Sequence, residues 1–373
     1  MENRVQTALS NEPDTTMGCL PLARKIVSVL APLACFPVLA LAADHIPWPS
    51  SLPVYAHIVI VVEENKDYEQ IFDGKFEAPY IRKLATEGAS ISRMFGEEHY
   101  SQGNYFWLFS GSNQNVGFSD QVPSAANHTD YPFMASNLGA QLIKKGLSFK
   151  GYAESLPEIG SKVDFDPPDC RDRGCIYGRK HVPWISFGNV PNGTTAESSS
   201  NLRFADFPSD YAKLPTVAFV IPNLDHDMHN GEPAQSIPAG DAWLRENLDG
   251  YYQWAKTHNS LLIITFDEND DKRRYQGLTN PMVSPRAYPP PDVYDEYLRD
   301  LQNRVVTIFA GAHVKPGLYS EGKGITHVNI LRTIEAMYGL AKSGAQQPNA
   351  IGAGISDDTI VIDIFVSKPS SMP

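Results

Sequence analysis

Basic side chains are in short supply. The 373 residues carry 31 Lys and Arg against 43 Asp and Glu, a formal net charge of −12. This excludes a nucleic-acid binder, which would show a basic face. If such a chain handles anionic molecules, it must concentrate positive charge locally, and bound metal ions are the natural source. Cysteine is also sparse, with four residues in all. Cys170 and Cys175 share a Pro- and Asp-rich loop with no nearby His, so a tetrahedral zinc site is poorly supplied. In an exported chain such a pair most simply forms one disulfide. No internal repeat is visible. The longest apolar run, Ile26 to Leu39, is short and interrupted by Pro32 and Pro37, a poor membrane span.

What that run does resemble is a secretory signal. Arg24 and Lys25 precede it, and Ala40-Leu41-Ala42 supplies small residues at a cleavage position. Residues 1–42 are therefore expected to be a signal peptide, and the product secreted or periplasmic. Asn11, Glu12, Asp14 and Thr15 do not suit a signal, which makes Met17 a candidate start. Cys19 and Cys35 would leave with it. Residues 43–373 read as a single domain with a surface insertion near 270–300, rich in Pro, Tyr and charge.

Four short apolar segments stand out: Ile58–Val62, Val217–Ile221, Leu261–Phe266 and Val305–Phe309. Each is continuous and rich in β-branched residues, the pattern of strands buried on both faces of a parallel sheet. Helical stretches lie between them. Pro79–Glu87 stops at Gly88, Ala135–Lys145 at Gly146 and Val328–Tyr338 at Gly339, while Ala239–His258 is long and amphipathic. The expected fold is α/β, a mostly parallel central sheet flanked by helices.

In open α/β sheets, ligands bind beyond the carboxyl ends of the strands. Here those ends read Glu63-Glu64-Asn65, then Asn223-Leu224-Asp225-His226-Asp227-Met228-His229, then Asp267-Glu268. His327 follows the fourth. A lone acidic residue after a strand usually caps a helix. Carboxylates converging from three strands would repel one another unless a cation sat between them, and oxygen donors with imidazole suit a divalent ion. A nucleophile is offered by Ser101, which opens a helix-like apolar run. It is either an N-cap or a hydroxyl activated by the helix N-terminus and a neighbouring metal. Asn104, three residues on, would donate to a phosphate oxygen.

These residues in this order resemble the bacterial phosphoesterase family of acid phosphatases and phospholipases C, a branch of the alkaline phosphatase superfamily. The matching segments are HIVIVVEENKDYEQIF, HYSQGNYFWLFSGS, GYAESLP, RKHVPWISF, AFVIPNLDHDMHNG, DAWLRENL, LLIITFDEND and THVNILRTIEAMYG, spanning about Val59 to Leu340. The resemblance implies an alkaline-phosphatase-like three-layer sandwich. It implies metal ligands at Glu64, Asn65, Asp267 and Glu268, the last where relatives carry a His, and a nucleophile at Ser101. Asp227 and His229 match an Asp-Met-His element. Asp225, four residues before His229, is an alternative ligand to Asp227. His181 matches a position that contacts phosphate, or it is a packed structural His. His327 matches a His facing the site. One divalent metal or two fit equally.

The implied reaction is in-line attack of Ser101 on phosphorus, giving phosphoserine that water then hydrolyses, with His229 or His327 protonating the leaving oxygen. A phosphomonoester is the favoured substrate. A phospholipase C acting on a diester, with transient membrane contact, is the alternative, and an aromatic cage within Tyr275–Tyr297 would suit its choline-like group. A non-enzymatic exported binding protein on a degenerate site is the other rival, which the presence of Ser101, Asn104, Asp267 and His327 disfavours. A sulfatase would need a motif such as C-x-P-x-R, which is absent.

Overall fold

The computed structural model describes residues 52–366, apart from 118, 171–173, 271–302, 321 and 353. The signal expected over 1–42 and nearly all of the insertion near 270–300, including the suggested aromatic cage, lie outside the described residues. Those described all belong to one compact unit, Ile46–Pro373.

The central strand is β1 (His57–Glu63), whose Ile58–Val62 are buried on both faces. It lies between β7 (Val217–Ile221) and β8 (Ser260–Phe266), parallel to both. Beyond β7 the sheet continues through β3 (Phe149–Ala153) to β6 (Asn201–Arg203), again in parallel. Beyond β8 come β9 (Arg304–Gly311), β2 (Ala89–Phe95) and β10 (Gly317–Tyr319), with the short β11 (Ile325–Thr326) also on β2. One expectation is corrected here. The fourth apolar segment is a strand, but β9 runs antiparallel to both β8 and β2. Its carboxyl end therefore points away from the edge where β1, β7 and β8 end. The result is a mixed, mostly parallel sheet of nine strands flanked by helices.

The described helices keep near their sequence signals, although the one expected over Ala239–His258 begins at Pro233, runs through Pro238 and ends at Ala255. They are α1 (Tyr68–Phe72), α2 (Pro79–Glu87), α3 (Ser101–Ser110), α4 (Leu138–Lys144), α5 (Pro233–Ala255), α6 (His327–Tyr338) and α7 (Pro348–Gly352). Pro opens both α2 and α5 at a position where its missing N–H costs nothing. Every residue of α3 is buried, so it is a core helix rather than an amphipathic one. Phe106 and Phe109 join Phe133, Phe149, Trp184, Phe187 and Phe219 in one aromatic cluster. That cluster anchors the helix beneath the sheet's carboxyl edge. Cys170 and Cys175 are bonded, Cα atoms 5.2 Å apart, between β4 (Phe165–Asp166) and β5 (Tyr177–Gly178). β5 runs straight into Arg179-Lys180-His181, a single 3-10 turn.

Candidate active site

The three neighbouring central strands end together, and their backbones are tied at that edge. Asp267 N–H donates to the Glu63 carbonyl at 3.0 Å, and Glu64 N–H donates to the Asp227 carbonyl at 2.7 Å. This brings Glu64, Asp267 and Asp227 side by side from three separate segments. The chain then turns sharply after each end. Asn65 has φ 51°, Met228 φ 74°, and Tyr100, just before Ser101, φ 77°. Such conformations cost about 1–3 kcal/mol each in non-glycine residues and persist where surrounding structure enforces them. Lys66 does part of that enforcing: its buried ammonium donates to the carbonyls of Asn65 at 3.0 Å and Met228 at 2.8 Å.

Ser101 is the first residue of α3, and its Oγ donates to Glu64 Oε2 at 2.8 Å. The other Glu64 oxygen, Oε1, lies 3.2 Å from His181 Nε2, and His181 Nδ1 lies 3.4 Å from Asp227 Oδ2. Glu64, His181 and Asp227 thus point ligand atoms within 4.8 Å of one another, all buried. Tyr105 stacks flat on His181, ring centroids 4.9 Å apart, which fixes the imidazole plane. Asp267 Oδ1 accepts from the Asn65 backbone N–H at 3.1 Å. Glu268 is buried against His99, Oε2 to Nδ1 3.0 Å.

The electrostatics of this arrangement are unfavourable as it stands. Burial first, then the neighbouring carboxylates, push Glu64, Asp227 and Asp267 well above the usual carboxyl range. Glu63, on the same strand end, is raised for the same reasons. Burial, helped by Lys180 and His229, holds His181 well below the ordinary imidazole value. A neutral imidazole donates from one nitrogen only, so the other turns a lone pair toward a carboxyl oxygen. Asn65 Oδ1 and Asp267 Oδ2 are buried and accept no hydrogen bond among the described residues. Hard oxygen donors without partners, together with an imidazole lone pair, are what a divalent cation requires. Glu64, Asp227 and His181, with Asn65 and Asp267 beside them, fit one.

The site also gathers cationic groups. Lys180 Nζ donates to Asp120 Oδ2 at 2.8 Å and lies 3.5 Å from His229 Nε2. Burial lowers its pKa, but the Asp120 and Glu64 carboxylates outweigh that, so the ammonium is held above its ordinary value. Asp120 also accepts from Gln102 N–H, in the first turn of α3, at 3.2 Å. A cleft of about 600 Å³ opens beside this cluster, lined by Asn65, Lys66, Asp225, His229, Asn230 and Asp270 among others.

Three of the expected site residues stand elsewhere. Asn104 is buried and its amide is turned to the backbone: Nδ2 donates to the Glu98 carbonyl at 2.7 Å and Oδ1 accepts from Glu98 N–H at 3.1 Å. It shapes the entry to α3. His327 does not face the reacting atoms. Its Nδ1 is 2.6 Å from Glu97 Oε2 and its Nε2 2.8 Å from the Phe266 carbonyl, so it braces the residue before Asp267. β11 runs parallel to the carboxyl end of β2 and hands His327 to α6 between Glu97 and the Phe266 carbonyl. Asp225 is exposed and accepts from Asn230 Nδ2 at 2.7 Å, whereas Asp227 is buried in the cluster. Of the two, Asp227 is positioned as the ligand. Lys66, Lys180, Asp120 and His99 were not among the expected site residues. The one signal for Lys180 is its place beside His181 in Arg179-Lys180-His181. Asp120 and Lys66 carry none that pattern reasoning weighs.

The phosphoesterase family matches over residues 74–341. The chain belongs to that family. It is 41% identical to a phosphatidylinositol-3-phosphatase of Mycobacterium tuberculosis over 79% of this chain and 81% of that one. It is 27% identical to a probable acid phosphatase of Kluyveromyces lactis, covering 58% of this chain and 48% of the yeast protein, so it spans about half that relative's length. A Vibrio parahaemolyticus protein of the alkaline phosphatase superfamily shares the fold, with a TM-score of 0.51 at 10% identity over 84% of this chain and 74% of that one. The chain is a hydrolase of phosphoric esters.

Proposed function

We propose that this phosphoesterase is an exported, divalent-cation-dependent phosphomonoesterase that works through a phosphoserine at Ser101. The observation that carries the reading is the Ser101 hydroxyl at the head of a buried helix, 2.8 Å from Glu64, among carboxyl oxygens without partners. A cation held by Glu64, Asp227, His181, Asn65 and Asp267 would neutralise phosphoryl charge and favour the ionised hydroxyl. The chain's own groups do the rest. Ser101 Oγ forms the bond to phosphorus as the ester oxygen leaves, and its proton has an acceptor in Glu64 Oε2. The Lys180 ammonium answers the charge on the phosphoryl oxygens. The departing alkoxide takes a proton from solvent in the adjoining cleft.

The relative named a phosphatidylinositol-3-phosphatase supports a monoester on a hydroxyl-rich alcohol. Asp225, Asp270 and Asn230 in the cleft offer hydrogen-bonding oxygens to such a leaving group. The test is Ser101→Ala with p-nitrophenyl phosphate. Loss of a nucleophile should lower turnover by about a thousandfold or more while the melting temperature changes little. Acid-quenched wild type should carry phosphate on Ser101. Retention of more than about a tenth of the rate, a barrier change under about 1.4 kcal/mol, would reduce Ser101 to a helix-opening residue.

A further inference from the structure

His229 sits at the mouth of the site with its two ring nitrogens in different company. Nδ1 faces Asn230 Oδ1 at 3.1 Å, and Nε2 faces Lys180 Nζ at 3.5 Å. Which nitrogen bears the proton follows from the neighbours' own commitments. The Asn230 amide nitrogen donates to the Cys175 carbonyl at 2.9 Å and to Asp225 Oδ1 at 2.7 Å. Both partners only accept, so the amide cannot be turned round without setting its oxygen against two oxygens. The amide oxygen is thereby fixed toward His229, and it can only accept. Nδ1 must therefore carry hydrogen. The second argument is independent: an ammonium has donors and no lone pair, so Lys180 beside Nε2 requires that nitrogen to accept.

We propose that Asn230 is a positioning residue that holds His229 as its Nδ1–H tautomer, so that Nε2 presents a lone pair to the site. The anchor is rigid: the Cys175 carbonyl belongs to the disulfide-closed loop, and Ile176 next to it accepts from Leu224 N–H at 3.0 Å. The His229 backbone is fixed as well, donating to Asp227 Oδ1 at 2.8 Å. The consequence rests on the phosphoserine reading. His229 then serves the second half-reaction rather than the first. Water attacks the phosphorus and passes its proton to Nε2, as the Lys180 ammonium turns from that nitrogen to the phosphoryl oxygens. The P–Oγ bond breaks, and Ser101 recovers its proton from Glu64.

The experiment has two arms on the full-length protein. In the first, long-range nitrogen–proton correlation spectra of uniformly nitrogen-15-labelled protein report the tautomer, with the His229 ring assigned by its loss in His229→Gln. Wild type should show the Nδ1–H pattern, and Asn230→Ala should lose it. In the second arm, Asn230→Ala should lower kcat for p-nitrophenyl phosphate by about ten- to a hundredfold with little change in KM. An Nε2–H pattern in wild type overturns the proposal. So does a fall in kcat with the tautomer unchanged. If wild type hydrolyses no phosphate ester, the function reading fails while the first arm still decides the tautomer.

Discussion

Stripping the protein of divalent cations should make its stability fall as pH rises. Glu64, Asp227 and Asp267 have folded-state pKa values above their unfolded ones, through burial first and mutual repulsion second. The folded state then holds protons that the unfolded chain has released. Stability is full below the unfolded carboxyl range and is lost as pH climbs through the folded values. Each proton so retained costs about 1.4 kcal/mol per pH unit. In a chain of this size that is about 2 °C of melting temperature per unit. Glu98, buried beside α3 and pushed up to about 8, adds a share of its own. Between the unfolded value of 4.5 and about 8 this share amounts to about 5 kcal/mol. A cation bound by the cluster removes the first contribution and leaves the second. At a hundredfold excess over its dissociation constant it adds about 2.7 kcal/mol, and more at about pH 8 than at about pH 5, because protons compete for the same oxygens. The assay is thermal unfolding of chelator-treated protein across that range, with magnesium, manganese, calcium and zinc restored singly. Glu98→Gln should remove the part of the slope that no cation corrects. A melting temperature flat in pH, or one no cation raises more at high pH than at low, would refute both the charge accounting and the metal site.

Asn104→Ala should cost about 1–3 kcal/mol through two lost buried hydrogen bonds to Glu98, with KM for phosphate esters unchanged. A raised KM without a lower melting temperature would return Asn104 to substrate binding. Gly103→Ala should destabilise by a similar amount, since an added Cβ would stand 1.7 Å from Glu98 Oε1. Unfolding curves matching wild type would show that Glu98 is free to move aside.

The strand cores were legible because a strand buried on both faces has only apolar residues to offer. Val217–Ile221 matches β7 residue for residue, and Pro79–Glu87 matches α2. β2 was not legible: Ala89–Phe95 interleaves Ser90, Ser92 and Arg93 with apolar residues and reads as neither pattern. Direction was hidden for a different reason. Val305–Phe309 is as apolar as its neighbours, but pairing sense is set by the connections, and those run through the insertion. The same limit governed the site. Glu64, Ser101, Asp227 and Asp267 follow from strand ends and a helix start, which are local features. Asp120 and Lys180 meet only because α3 brings a loop of the first half against the turn after β5. Asn104 and His327 were misread because their residue types promise donors to a ligand. Only the folded backbone reveals that the Glu98 and Phe266 carbonyls face these side chains and hold them.

The scarcity of basic residues and the strain at the site are connected. Three carboxylates can be gathered at one sheet edge only if each strand ends abruptly and turns its side chain back, and Asn65 and Met228 do this at positive φ. With strained Tyr100, the cost at about 1–3 kcal/mol each is comparable to the whole net stability of an ordinary domain. Lys66 offsets both problems with one group, bonding the two strained carbonyls while placing a buried charge beside Asp227 and Glu64. Lys180 does the equivalent on the α3 side, between Asp120 and His229. Two ammonium groups still leave Glu63, Glu64, Asp227, Asp267 and Glu268 in excess. Further lysines would fill the space where the phosphoryl group must sit. A cation coordinated by the carboxylates themselves would answer their charge without a further side chain. On the proposed reading, a chain of net charge −12 would add an ion to the local positive charge that Lys66 and Lys180 supply.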